Sequence, residues 1–236
     1  MRTNLMMIIT AVVLAVFSCF TASATDGKAI KVTFTGKQPK ITDFVNAYAT
    51  SLAPLDEYEA VAVAKIQKGN RPAKGAYSKS TIVDLKNGFC SYFDAGDPGT
   101  LIEMCYWNCA DGQSKLLAVN HVEGIGTSES GGIRFFRYDI ASHTMQEIEA
   151  PFNHTPLPTE FIKAQITPQK DANEYLNSLG IIDESEDTSS LVTYRLPKTG
   201  KDITIRFCED TDIPAKYRVA MFFKWNGDGF TLTTKK

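Results

Sequence analysis

Residues 80–120 read STIVDLKNGFCSYFDAGDPGTLIEMCYWNCADGQSKLLAVN, and the stretch from Thr81 to Glu149 reads throughout as consecutive β-hairpins. Asn87-Gly88 stands between 81–85 and 89–93, two short runs rich in β-branched and aromatic residues. A two-residue Asn-Gly turn supplies the positive φ angles that match strand twist, so a hairpin is expected there. The turn formers of 95–100 (AGDPGT) return the chain into 101–107, which is apolar and aromatic except for Glu103. Residues 108–112 (NCADG) turn it into 115–121. After a glycine-rich loop, 133–138 and 144–148 pair around 139–142. Short turns between successive strands imply a meander in which sequence neighbours are sheet neighbours.

At the amino end, residues 1–24 carry Arg2 as their only charge, an apolar run over 5–20, and the small residues Ala22-Ser23-Ala24. This is the anatomy of a secretory signal peptide. The run is short for a membrane span, and Asp26 and Lys28 follow directly, so cleavage is expected after Ala24. A competing reading makes Cys19, after Val16-Phe17-Ser18, the lipidated residue of a surface lipoprotein. Phe17 is bulky for that processing site, and the Ala-x-Ala match is cleaner. Removal of 24 residues leaves 212, and loss of Arg2 takes the formal charge from −2 to −3. Near-neutral charge without a basic patch argues against a nucleic-acid partner held by phosphate contacts. With no second long apolar segment, no membrane span is expected in the mature chain, which is exported to the periplasm or beyond the cell.

Between the leader and the meander, Ile30, Val32 and Phe34 alternate with polar residues as in a half-buried strand. Thr42 is placed to cap a first helix whose face carries Ile41, Phe44, Val45 and Tyr48, and Pro54 stops it. Asp56 and Glu59 have capping-box spacing ahead of a second helix striped by Leu55, Tyr58, Ala62 and Ile66 and ending at Gly69. Val61 and Val63 leave a strand as the alternative. Residues 151–158 (PFNHTPLP) hold three prolines and mark the best internal boundary. A third helix is expected from Asp171 and Glu174, with Tyr175, Leu176 and Leu179 on one side and Gly180 at its end. Beyond the acidic loop 183–190, strands at 191–196, 203–208, 218–225 and 230–234 make two hairpins around 197–200 (PKTG) and 226–229 (NGDG).

The fold class that follows is α+β, mainly antiparallel β: a hairpin meander with two or three packed helices. In domain terms, 1–24 is the signal peptide, 25–150 the helices plus meander, and 151–236 a helix plus two hairpins packed on the first part as one unit. At 43% hydrophobic residues the chain can bury a sizeable core.

Trp107-Asn108 followed by Asp111-Gly112 is echoed by Trp225-Asn226 followed by Asp228-Gly229. One reading has indole rings covering hairpin ends while Asn, Asp and Gly satisfy turn geometry. The sharper reading makes Trp107, Tyr106 and Trp225 aromatic platforms for a protein, peptide or glycan. The closing FFKWNGDGF resembles the last hairpin of uncharacterised exported bacterial β-rich proteins, a resemblance of some ten residues that carries no catalytic residue.

His121 and Glu123 lie two apart on an expected strand and so project on one face, an arrangement that metal pairs and acid–base pairs use. Nothing in the sequence supplies a spaced second ligand set such as His-Glu-x-x-His, and His143 and His154 fall in or beside turns and prolines. Asp94, Asp97 and the 209–212 acids (EDTD) do not match a calcium loop. The glycine-rich 124–132 segment lacks the Lys-Ser/Thr of a phosphate cradle, no serine-nucleophile elbow is present, and 153–155 (NHT) is a glycosylation sequon. No metal site and no cofactor are assigned. The function expected is that of an exported binding or interaction protein, with a hydrolase using His121 and a carboxylate, or a structural envelope protein, as rivals.

Cleavage leaves Cys90, Cys105, Cys109 and Cys208, an even number in an oxidising compartment. A hairpin centred on 95–100 sets Cys90 opposite Cys105, and extended geometry separates Cys105 from Cys109 by roughly 13 Å. The expected bridges are therefore Cys90–Cys105 and Cys109–Cys208, against four buried thiols as the alternative. The mature amino terminus is expected at Thr25 without lipid. Intact mass of protein recovered from its host checks this, and a mass containing lipidated Cys19 or residues 1–24 overturns it.

Overall fold

The computed structural model describes residues 28–50, 55–72, 79–96, 98–125, 129–153, 162–163, 169–178, 192–208 and 221–233. The leader with Cys19, Asp97, His154 and the sequon's Thr155, the 183–190 loop, the 209–212 acids and residues 126–128 of the glycine-rich segment lie outside them. In chain order the elements are β1 (Ile30–Lys31), α1 (Ile41–Ala49), α2 (Glu57–Gln67), β2 (Ser80–Asp84), β3 (Phe89–Asp94), β4 (Gly99–Asn108), β5 (Ser114–Ile125), β6 (Ser130–Asp139) and β7 (Thr144–Ile148). They continue as α3 (Gln169–Ser178), β8 (Val192–Arg195), β9 (Ile203–Phe207), β10 (Met221–Trp225) and β11 (Phe230–Thr233).

The expected α+β, mainly antiparallel architecture is what the chain adopts. A seven-stranded sheet has the order β1-β7-β6-β5-β4-β3-β2, and a four-stranded sheet the order β11-β10-β9-β8. Apart from β1, which joins the β7 edge, both sheets are meanders. One face of the large sheet lies under α1 and α2: Cys90, Tyr92, Met104, Leu117, Val119, Phe136 and Tyr138 pack with Phe44, Tyr48, Ala62 and Ile66. Its other face packs on the small sheet, where Phe89, Cys105, Trp107, Leu116, Ala118 and Phe135 meet Tyr194, Ile203, Ile205, Phe223 and Phe230, with Ala172 and Leu176 of α3 in the same cluster. The result is helices, large sheet and small sheet in three layers, and the second core draws on both sides of the proline boundary.

Local chemistry explains most elements and corrects several expectations. Helix α1 is closed at its start by Asp43, whose carboxylate accepts from the Lys40 N–H at 2.7 Å, rather than by Thr42. Helix α2 begins where Asp56 accepts from the Glu59 N–H at 2.7 Å, as the spacing implied. Its buried stripe is Glu59, Ala62, Val63 and Ile66. Val63 therefore takes the inward place and Tyr58 is 43% exposed. Helix α3 begins at Gln169, so Asp171 sits in its first turn and not at its cap. The expected first strand shrinks to Ile30–Lys31, the only residues there that pair with β7.

The first hairpin forms, but not through a two-residue turn. Asp84 pairs with Phe89, which leaves 85–88 as a four-residue loop. The Asp84 carboxylate accepts from the Lys86 and Asn87 N–H groups at 3.1 and 3.0 Å, and Gly88 takes φ +64. Backbone bonds to Asn87 hold Asp84 below the usual aspartate range.

The strand register also revises the cysteines. Cys90 is paired with Met104, and Phe89 with Cys105, so the two thiols occupy opposite faces of the sheet. A Cys90–Cys105 bridge is excluded by that geometry, because successive side chains of a strand point to opposite sides. Cys90, Cys105, Cys109 and Cys208 are all buried, and no disulfide joins any two of them, Cys109 and Cys208 included.

The segment after β7 seals the edge of the small sheet. Phe152 bridges to Phe230 in parallel, the Phe230 N–H donates to Pro151 O at 2.9 Å, and the Leu232 N–H donates to Asn153 Oδ1 at 3.0 Å. Gly229 permits this approach, since a Cβ there would stand 2.7 Å from Pro151 O. The Phe152 ring then stacks on Phe223 at 3.8 Å between centroids.

Gly88→Val is expected to cost about 1–3 kcal/mol, because valine must hold a left-handed φ. Its Cβ would also stand 2.7 Å from the Tyr106 ring. Asn87→Ala loses one exposed hydrogen bond to Asp84 and should cost less than about 1 kcal/mol. Urea midpoints of the two variants test the turn, and equal midpoints contradict it.

Candidate functional site

The helix-facing residues of β5 run Leu117, Val119, His121, Glu123. The first two are covered by the helices, while His121 and Glu123 continue the same face toward the amino end of α2. There the α2 cap returns. Asp56 gives one carboxylate oxygen to Glu59 N–H and brings the other, Oδ2, to 3.4 Å from His121 Nδ1. At the other ring nitrogen, Glu123 Oε1 lies 3.2 Å from His121 Nε2. The imidazole thus has a carboxylate near each of its nitrogens, with its side chain 16% exposed.

His121 and Glu123 border a cavity of about 320 Å³ lined also by Glu59, Val119, Ser130, Gly131, Gly132 and Arg134. Gly132 is the register partner of His121, and Gly131 of Val122. A Cβ on Gly131 would stand 2.5 Å from His121 O, whereas one on Gly132 would meet nothing within 4 Å. Gly131 is therefore required by the close approach of two backbones, and Gly132 leaves the space beside the imidazole empty. The sequence suggested a loop here; the structure makes these glycines part of β6.

Beyond the glycines, Arg134 anchors the far wall. Its Nε and Nη2 donate to the two carboxylate oxygens of Glu147, each at 2.8 Å, and Nη1 donates to Tyr48 OH at 3.1 Å. Tyr48 in turn donates to Glu59 Oε1 at 2.8 Å. The guanidinium carbon stands 5.7 and 5.4 Å from the Tyr48 and Phe136 ring centroids. Glu147 on β7, Arg134 on β6, Tyr48 on α1 and Glu59 on α2 thereby form one chain of bonds that fixes both helices over the sheet. Hydrogen bonding to Arg134 holds Glu147 below the usual glutamate range, and burial raises Tyr48.

His121 and Glu123, the pair singled out by their spacing, are brought together. Asp56 joins them from 65 positions away and was legible only as a helix cap. The aromatic platform is not assembled: Tyr106 faces α1, its ring 5.3 Å from Phe44, while Trp107 and Trp225 lie on the other side of the sheet. Trp107 is 5% exposed, stacks on Trp225 at 5.8 Å and donates its indole N–H to Lys201 O at 2.8 Å. It closes the core at the hairpin ends, which corrects the expectation that it faces a ligand. Asp94 is held by Lys79 at 2.6 Å and the Gly96 N–H at 3.1 Å. His143 adopts φ +56 in its turn with its ring 5.0 Å from Phe34.

Glu147→Gln is expected to lower stability at neutral pH by roughly 0.5–1 kcal/mol, in line with a half-exposed bidentate pair. The effect is pH-dependent. Because the folded state holds Glu147 below its ordinary value of 4.5, its contribution is complete above that value and is lost as pH falls below it. Melting curves of wild type and variant should converge in acid, and a constant gap contradicts the Arg134 pairing. Comparison of this chain with protein-family models, with curated proteins and with solved structures finds no match in any of the three.

Proposed function

We propose that the chain is an exported binding protein whose ligand enters the cavity beside His121. The observation that carries this reading is the convergence of an imidazole, two carboxylates and an unfilled space over Gly132 on one face of the large sheet. The cavity's size lies at the lower end of small-molecule sites, which suits a small polar ligand or the polar end of a peptide or glycan. Its walls are set by backbone pairing and by the Arg134–Glu147–Tyr48–Glu59 chain, so the site is formed before a ligand arrives, and binding orders little. The expected signal peptide and the lack of a nucleophile motif in the sequence agree with this reading. One observation favours a hydrolase as the second reading: Ser130, register partner of Glu123, also lines the cavity.

The test is a thermal-melting panel of peptides, sugars and small organic acids, run in chelator on the mature chain and on two variants. Gly132→Val fills the cavity from a position with free space and no positive φ, so it should retain or slightly raise the melting temperature. His121→Ala removes the central ring. A ligand that raises the wild-type midpoint by at least about 2 °C and loses that effect in both variants supports binding at this site. A panel without any shift, or shifts that persist in both variants, overturns it. Ester hydrolysis lost in Ser130→Ala would favour the second reading.

A further inference from the structure

We infer that a divalent ion of the zinc type binds at the edge of the cavity, with Asp56, His121 and Glu123 as its protein ligands. This rests on the binding reading above and names the chemistry of what is bound. One ligand atom from each of the three residues can be chosen so that all lie within 4.8 Å of one another. Around a tetrahedral ion with bonds of about 2.0–2.2 Å, donor atoms stand some 3.3–3.6 Å apart. Glu123 Oε1, 3.2 Å from Nε2, already stands near that spacing; Asp56 Oδ2 is 3.4 Å from Nδ1, the other ring nitrogen, and shifts toward an ion held on Nε2.

A second observation is independent of the acids. His121 Nε2 is buried and makes no hydrogen bond in the structure, although Glu123 lies 3.2 Å away. A buried ring nitrogen left without a donor or acceptor is costly, and coordination is one way to satisfy it. The charges also fit. Asp56 sits at the amino end of α2, which carries about half a positive charge, while two carboxylates supply two full negative ones. Asp56 Oδ1 is occupied by the Glu59 N–H, so this residue has its outer oxygen to give to an ion, and the cap fixes its direction.

The donor set chooses among metals. A nitrogen ligand beside two oxygens suits zinc, cobalt, nickel or copper, whereas calcium and magnesium are held by oxygen alone and in larger number. Three protein ligands with free space toward Gly132 leave a position open on the cavity side, the pattern of a site whose ion also meets a second ligand. The notable absence of a side chain at 132 is then what keeps that position clear.

Titration of the mature, metal-stripped chain with zinc by calorimetry and with cobalt by visible absorption tests the inference, on wild type and on Asp56→Asn, His121→Ala and Glu123→Gln. Asp56→Asn is the informative variant, because asparagine caps a helix as well as aspartate and so leaves α2 intact. One ion per chain, a cobalt ligand-field spectrum, and affinity weakened at least about tenfold in each variant with the far-ultraviolet dichroism unchanged are expected. Equal affinity for calcium or magnesium, or zinc binding that survives all three variants, overturns the inference. Failure of both metals together with a ligand shift that persists in chelator and is lost in Gly132→Val overturns it and leaves the binding reading standing. Failure of both metals and of the ligand panel overturns the two together.

Discussion

Two-sided burial of the seven-stranded sheet is the constraint on which everything else depends. In β5, Leu116 and Ala118 lie under the small sheet while Leu117 and Val119 lie under the helices, all of them at most 2% exposed. Neither face can be left to water, so α1 and α2 on one side and β8–β11 on the other are covers the sheet cannot do without. Polar groups caught in the same layer must find partners there. Glu103 Oε2 accepts from Leu196 N–H at 2.9 Å and from Asn120 Nδ2 at 3.0 Å, and Asn120 also donates to Tyr194 O at 2.9 Å. Burial raises the Glu103 carboxyl above its ordinary range, against the pull of its two donors, Leu196 N–H and Asn120 Nδ2. Because an unpaired polar atom in this layer is costly, these bonds select one alignment of the small sheet on the large one.

The same two-sided burial explains what the sequence did and did not disclose. Turn chemistry at 87–88, 108–112, 139–142 and 226–229 located the hairpins, and the meander order followed from their shortness. Register was another matter. A strand with one wet face advertises its register by alternation, but FCSYF and MCYW are apolar on both sides, so a shift of one residue leaves the pattern unchanged. The register expected across the 95–100 turn was out by one residue, and that displaced Cys90 from opposite Cys105 to opposite Met104. The same loss of contrast hid the fact that Tyr106 and Trp107, adjacent in sequence, belong to different cores.

For the site, the readable part was the part with local periodicity. His121 and Glu123 are two apart on a strand and necessarily share a face. Asp56 carried a different and correct meaning, that of a helix cap, and no spacing rule links a cap to a strand 65 positions later. Arg134 and Glu147 likewise meet only because β6 and β7 are neighbours. Gly131 and Gly132 looked like loop residues because glycine commonly is; here one is required by the His121 backbone and the other leaves a space unfilled.

The proline-bearing segment at 151–153 has a consequence of a different kind. A sheet ending in an exposed strand is a template onto which another chain can add, and β11 would be such a strand. Pro151 and Asn153 occupy the hydrogen-bonding groups of Phe230 and Leu232 that an incoming strand would need, and proline at 151 has no N–H with which to extend the ladder further. At the far side of the large sheet, Arg71 does the same for Thr81 through paired bonds of 2.9 and 2.8 Å. The β11 edge of the small sheet and the β2 edge of the large one therefore end in pieces too short to recruit a neighbour, which protects these two edges from edge-to-edge self-assembly at high local concentration.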